Sequence, residues 1–155
     1  MSTPLNDATM DLASGIAAFE SKHFGTAIQL LSPLAGDGHP EAQYRMAIML
    51  QNGLGIVANT SLAFEYMESS AKQGIAFAQH GLGFMYMMGE CVEKNGSKAI
   101  EWLSQASKQG MMGSATTLAQ IYEEGTLVSQ NLSKAAELYQ LAGFPEEASR
   151  IESLK

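Results

Sequence analysis

From Glu41 onward apolar residues fall at i, i+4, i+5 and i+8, as Ala42, Met46, Ala47 and Leu50, which is one stripe of an amphipathic helix that Gly53 then stops. The stripe returns as Ala78, Leu82, Gly83 and Tyr86 before Gly89, and as Ser114, Leu118, Ala119 and Tyr122 before Gly125. We term these the A helices. The small residue in mid-stripe, Ala47, Gly83 or Ala119, predicts close approach of a neighbouring helix. A polar loop follows each, anchored by Ile56, Val92 or Val128. Asn59, Asn95 and Asn131, with Ser61, Ser97 and Ser133, then offer side chains that cap helix starts. The B helices begin there, with apolar sets Ala63, Tyr66, Met67, then Ala99, Trp102, Leu103, then Ala135, Leu138, Tyr139. Gly74 and Gly110 fit left-handed helix stops.

These columns share one interval of 36 residues, which also links Glu65, Glu101 and Glu137. A period of that size means a copied supersecondary unit, here a helix hairpin that cannot bury its apolar face alone and stacks on its neighbours. Upstream, Ala27, Leu30, Leu31, Leu34 and Gly38 fall in register with a B helix, so a variant hairpin is expected there. Its first helix covers about Thr9 to Ser21, and its turn through Lys22 and His23 is about four residues shorter. Gly143-Phe144-Pro145-Glu146 echoes Gly38-His39-Pro40-Glu41, with proline suited to a first helical position. A capping helix is expected from Pro145 to about Leu154, covering the last hairpin's apolar face.

The chain has 155 residues, 46% of them hydrophobic, which fits one folded domain. No run reaches the ~18 apolar residues of a spanning helix, and the start from Met1 to Gly15 has neither the basic region nor the apolar stretch of a signal peptide. A cytoplasmic chain is expected, or a periplasmic or secreted one if a signal was trimmed. Sixteen acidic against nine basic residues give a net charge of -7. That disfavours nucleic acid, which needs clustered Lys and Arg, and it attracts a basic partner, although an acidic surface also simply keeps a protein soluble. Cys91 is the single cysteine, so no intrachain disulfide is available.

The residues offer little for catalysis. His23, His39 and His80 make no pair at i+3 or i+4 and have no carboxylate or cysteine cluster, so neither a metal site nor a cofactor site is expected. Cys91 has no adjacent His or Lys to activate it. Gly53-Leu54-Gly55 lacks the Lys and strand context of a phosphate loop and reads as helix stop plus turn. Glu123 and Glu124 are adjacent helix positions that point apart, so solvent-facing charge is the expected role rather than paired acids.

A binding surface is better supported. In helix-hairpin stacks the A helices line the concave wall, and positions outside the core stripe face it. These are Leu12, Ile16 and Phe19; Tyr44, Ile48 and Gln51; Phe77, His80, Phe84 and Met87; Thr116, Gln120 and Glu123. Tyr44, Ile48, Phe84 and Met87 are apolar where Lys or Gln would serve solvent equally well, and Met85, Met87 and Met88 add adaptable thioethers. Two readings stay open: a peptide groove with Tyr44 and Phe84 as anchors, or side chains that merely pack between neighbouring A helices.

The clearest unit, Leu82-Gly83...Tyr86...Gly89...Val92...Lys98-Ala99...Trp102...Ala106...Gln109-Gly110, resembles the Sel1-like repeat. The resemblance covers about Asp11 to Gly143, and the shorter first hairpin is similar to the related tetratricopeptide form. The chain departs from the family in its loops: Gly-x-Gly survives only at Gly53 to Gly55, and Asn replaces the usual loop Asp. The resemblance implies an all-α fold, a right-handed α-solenoid. It divides into a tetratricopeptide-like hairpin at 9–38, Sel1-like repeats at 39–74, 75–110 and 111–143, and a C-terminal cap at 144–155, all in one repeat domain. It also implies a non-enzymatic scaffold or adaptor for a protein or peptide segment, apolar or basic. Two alternatives are a dedicated chaperone or immunity partner of a secreted protein, and a binding protein or enzyme associated with peptidoglycan. Oligomeric state is left open.

Overall fold

The computed structural model describes residues 4–155, with side chains from Asp7 onward. Part of the signal-peptide reading therefore rests on residues 1–3, outside the described residues. Among the described residues every regular element is α-helical: α1 (Pro4–Glu20), α2 (Phe24–Gly36), α3 (Pro40–Asn52), α4 (Thr60–Lys72), α5 (Ala76–Met88), α6 (Gly96–Lys108), α7 (Met112–Glu124), α8 (Leu132–Leu141) and α9 (Pro145–Glu152). The A helices are α1, α3, α5 and α7, the B helices are α2, α4, α6 and α8, and α9 is the cap. The chain divides into two compact units, 1–78 and 79–155, with the boundary one turn into α5.

In the first unit α1 pairs with α2 and α3 with α4, while α2 and α1 both contact α3. In the second, α7 pairs with α8, α6 contacts α7, and α9 lies against α8. Helix α1 starts at Pro4, several residues before the expected Thr9. Proline is tolerated in a first turn because its missing N–H would be unpaired there anyway.

The hairpins close by one device used three times. Asn59, Asn95 and Asn131 sit in extended conformation, and each side-chain carboxamide oxygen accepts the N–H three residues on, that of Leu62, Lys98 or Lys134, at 3.0–3.1 Å. Each Asn backbone N–H donates back to the preceding A helix, to the carbonyl of Leu50, Tyr86 or Tyr122, at 2.9 Å. The adjacent Ser61, Ser97 and Ser133 are exposed and make no part of the cap. Gly53, Gly89 and Gly125 end the A helices at φ 68° to 70°, the left-handed region that glycine enters at no steric cost.

Core contacts follow the expected stripes. Ala42, Met46, Ala47 and Leu50, their copies Ala78, Leu82 and Tyr86, and Ser114, Leu118 and Ala119 are all buried. Tyr122 is half-buried. A methyl added to Gly83 would stand 2.6 Å from Leu103 Cγ, and one added to Gly15 would stand 2.5 Å from Leu31 Cδ2. Those glycines are therefore the close-approach points of hairpins α5–α6 and α1–α2.

Polar groups also cross between helices. Gln43 is buried; its Nε2 donates to the Ala35 carbonyl at 3.2 Å, and its Oε1 accepts Gln73 Nε2 at 3.1 Å. This joins the end of α2, the start of α3 and the end of α4. The copy 36 residues later, Gln109 Nε2 to Gln79 Oε1 at 2.9 Å, joins the end of α6 to the start of α5. A buried amide must find partners or cost about 1–3 kcal/mol, so these glutamines also specify helix register.

Candidate functional site

The A-helix positions expected to face a partner fall into three environments. In the first unit Ile16 and Phe19 are half-buried on α1, Phe19 edge-on to Phe24 with ring centroids 6.0 Å apart. Tyr44, Ile48 and Gln51 are half-buried on α3. Tyr44 stacks on Phe77 of α5, with centroids 5.9 Å apart and planes 25° from parallel, and the Arg45 guanidinium carbon lies over the Tyr44 ring, 5.7 Å from its centroid. Burial, the largest influence, pushes the Tyr44 phenol up in pKa against the pull of Arg45. Phe77 is 61% exposed, so the two rings form an aromatic ledge open to solvent.

In the second unit His80 is tied down. Its Nδ1 and Ser114 Oγ are hydrogen-bonded at 2.6 Å, its ring lies 4.8 Å from that of Phe84, and burial lowers its pKa, which favours the neutral imidazole. Ser114 is fully buried, so this contact joins α5 to α7 and presents no hydroxyl to a substrate. Phe84 and Met87 are half-buried against a core of Leu103, Leu118 and Ile121. Their outer surfaces line a cleft of about 300 Å³ that also includes Met88, Gln120, Leu127, Lys94 and Glu124. The three methionines thus part ways: Met85 is core, Met87 forms cleft wall, and Met88 is 59% exposed.

Glu123 does not carry a solvent-facing charge as expected. It is half-buried, accepting the Tyr139 hydroxyl at 2.8 Å and Arg150 Nη2 at 2.7 Å, and so it clamps α7 to α8 and to the cap α9. Burial alone would raise its pKa, but the hydrogen bonds from Arg150 and Tyr139 together with the Arg150 charge outweigh burial and hold it low. Cys91 is half-buried, and burial followed by the Glu90 charge pushes its thiol up, away from the reactive thiolate. Among the described residues no group of three or more His, Cys, Asp or Glu side chains could hold a metal ion. No helix of the described residues is long and apolar enough to cross a membrane.

The glutamine pairs and the Glu123 clamp were missed in the sequence. The first had a signal, since Gln43 and Gln79, like Gln73 and Gln109, stand 36 residues apart. The second had none, because Arg150 lies outside the repeated units.

Helix hairpins repeated at a fixed period, with identical asparagine closures, define a helical-repeat protein of the α-solenoid class. The Sel1 repeat matches at residues 40–75, 76–111 and 114–143, more than half of the chain, and the chain belongs to the Sel1 repeat family. No curated protein matches the sequence. Among solved structures, c5321, a protective antigen present in uropathogenic Escherichia coli strains and displaying an SLR fold, is similar with a TM-score of 0.82 at 23% identity over 88% of this chain. A Sel1 repeat protein from Oxalobacter formigenes is similar with a TM-score of 0.80 at 26% identity over 89% of this chain. The chain spans 30% of the first and 56% of the second.

Proposed function

We propose that this protein is a non-enzymatic scaffold that holds a peptide or protein segment on its A-helix face. The observation that carries this reading is the Tyr44–Phe77 ledge. Two large rings from neighbouring A helices stack on one another and leave Phe77 61% exposed. Solvation alone gives no reason for a phenylalanine there, whereas aromatic rings with one open face are the usual anchors of protein contacts. On this reading Ile16, Phe19, Ile48 and Gln51 serve the A-helix face of the first unit and His80, Phe84, Met87 and Gln120 that of the second, and the protein's net charge of -7 favours a basic segment. Family membership supports the class of function, since a helical-repeat fold by itself assigns no single task.

The test is affinity capture from the organism that encodes the chain, using wild-type protein and a Tyr44→Ala, Phe77→Ala variant whose helical circular dichroism is unchanged. A protein held by wild type and lost by the variant is the expected result. Capture of the same set by both would sink this reading.

A further inference from the structure

We propose that Asn95 is a site of spontaneous covalent modification: the Asn95–Gly96 pair deamidates through a succinimide to aspartate and isoaspartate, at a rate set by opening of the α5–α6 loop. This is independent of the scaffold reading. Asparagine is among the thermolabile residues, and a following glycine makes it most labile, because no side chain shields the attacking backbone nitrogen. Of the three asparagines that close hairpins, Asn59 precedes Thr60 and Asn131 precedes Leu132; only Asn95 precedes a glycine. The fold demands both residues of this pair. Asn95 caps α6 by accepting the Lys98 N–H at 3.0 Å. A methyl on Gly96 would stand 2.9 Å from the Leu127 carbonyl oxygen and 3.1 Å from Leu127 Cγ, in the loop of the next hairpin. A cap at one position and a close approach at the next thus force the labile sequence.

The reacting groups are unencumbered. Asn95 is exposed. Its Nδ2, the leaving group, and the Gly96 N–H, the nucleophile, make no hydrogen bond among the described residues. The Gly96 nitrogen attacks Asn95 Cγ and gives up its proton; the Cγ–Nδ2 bond breaks, and Nδ2 leaves with that proton as ammonia. Water then opens the succinimide at either carbonyl, giving aspartate or, where the main chain comes to run through Cβ, isoaspartate. The second product lengthens the main chain between the Tyr86 and Lys98 hydrogen bonds and so loosens the hairpin that carries Phe84 and Met87. What restrains the reaction is the backbone: ψ of 104° at Asn95 holds the Gly96 nitrogen on the far side of the Cα–C bond from Cβ. Ring closure requires that peptide to turn and the first turn of α6 to open. The chain's other Asn–Gly pair, Asn52–Gly53, is bound differently. Asn52 Nδ2 donates to the Ile48 carbonyl at 2.9 Å and the Gly53 N–H to that of Met49, so leaving group and nucleophile are both engaged.

The experiment is ageing of the folded protein in warm, mildly alkaline buffer, followed by peptide mapping with mass spectrometry, in which electron-transfer fragmentation tells isoaspartate from aspartate. The same protein unfolded in urea is the reference, and there Asn52 and Asn95 should convert alike. In the folded protein Asn95 should convert first, ahead of Asn52, while Asn59 and Asn131 stay intact. Its conversion should be slower than in urea by about five-fold or more, the factor that one helix cap puts on opening. Asn95→Ser keeps a capping oxygen and removes the carboxamide, so that variant should age without the early acidic species. The inference is overturned if Asn52 keeps pace with Asn95 in the folded protein, if Asn95 converts no faster than Asn59 and Asn131, or if folded and unfolded protein convert Asn95 at one rate.

Discussion

The backbone N–H of Asn95 donates to the carbonyl of Tyr86 at 2.9 Å, closing the loop between α5 and α6 onto the end of α5. The Asn95 side chain meanwhile accepts the N–H of Lys98 at 3.0 Å, and Lys98 Nζ stands 5.3 Å from the centroid of the Tyr86 ring. Tyr86, Asn95 and Lys98 therefore make one closed clasp. Tyr122, Asn131 and Lys134 repeat it, with Lys134 Nζ 6.0 Å from its ring. In the α3–α4 hairpin Leu50 and Leu62 replace the tyrosine and lysine, and only the two asparagine hydrogen bonds remain.

Because the main-chain bond survives any side chain, Asn95→Ala should remove only the cap and cost about 1 kcal/mol. Asn95→Asp keeps an acceptor at a helix N-terminus and should be close to neutral. The three asparagines belong to separate hairpins, so the triple alanine variant should lose about 3 kcal/mol, near the sum. Urea unfolding midpoints of wild type, Asn59→Ala, Asn95→Ala, Asn131→Ala, Asn95→Asp and the triple alanine variant check this; a strongly sub-additive triple would show that the hairpins do not each depend on their own cap.

Gly83 and Leu103 make a second paired relationship. At the equivalent positions the hairpins carry Gly15 with Leu31, Ala47 with Met67, Gly83 with Leu103, and Ala119 with Tyr139. Glycine occurs wherever the partner is leucine, whose branched Cγ occupies the space an alanine methyl would need. Gly83→Ala should therefore cost about 1–3 kcal/mol through overpacking, despite alanine's better helix propensity. Adding Leu103→Met, the arrangement already present at Ala47 and Met67, should recover most of it. Chemical denaturation of the single and double variants gives the coupling, and strict additivity would contradict the account.

Much of this architecture is legible in the sequence, because the features that build it recur. Stripe, glycine stop and asparagine cap each appear three times in phase, and the family motif includes both Tyr86 and Lys98, although it does not pair them. What escaped has no period or an interrupted one. Gly15 aligns with Ala47 only after the shorter α1–α2 turn is allowed for, and the early start of α1 at Pro4 carries no apolar marker. Glu123 finds Arg150 across 27 residues, in a helix that copies no other unit, so composition marked it as surface charge. For the A-helix face, the stripe predicted which residues lie off the core; it could not separate the open Phe77 from the tethered His80, since that depends on Ser114 one hairpin later.

Cys91 occupies the position of Gly55 in the preceding loop and adopts its conformation, φ 65° against 70°. A side chain in the left-handed region costs about 1–2 kcal/mol, partly offset by glycine's extra freedom when unfolded. Cys91→Gly should thus stabilise the protein by about 0.5–1 kcal/mol. The reverse change is worse than strain alone, because a methyl on Gly55 would stand 2.8 Å from Phe24 Cβ and 3.0 Å from the Phe24 carbonyl carbon. Gly55→Ala should cost about 2 kcal/mol or more. Thermal unfolding should place the two variants on opposite sides of wild type.

The Glu123 clamp makes stability depend on pH at both ends. Glu123 titrates below the ordinary carboxylate value, so its contribution is complete above that value, about 4.3, and is lost as pH falls through its own depressed pKa. Tyr139 behaves inversely: burial and the Glu123 carboxylate raise its phenol from 10 to about 12, so its contribution is complete below pH 10 and is lost as pH rises through about 12. Glu123→Gln removes the charge that serves both. Relative to wild type it should therefore be less stable near neutrality, fall less on acidification, and converge with wild type in acid. Tyr139→Phe, which loses one buried hydrogen bond, should cost about 1 kcal/mol at neutral pH. Urea unfolding across the acid range and tyrosinate absorbance in the alkaline range measure the two limbs. If Glu123→Gln leaves the acid slope unchanged, the clamp does not secure α9, and the cap is held by the apolar cluster that Ala148 and Ile151 share with Ala119, Ala135, Ala136 and Tyr139.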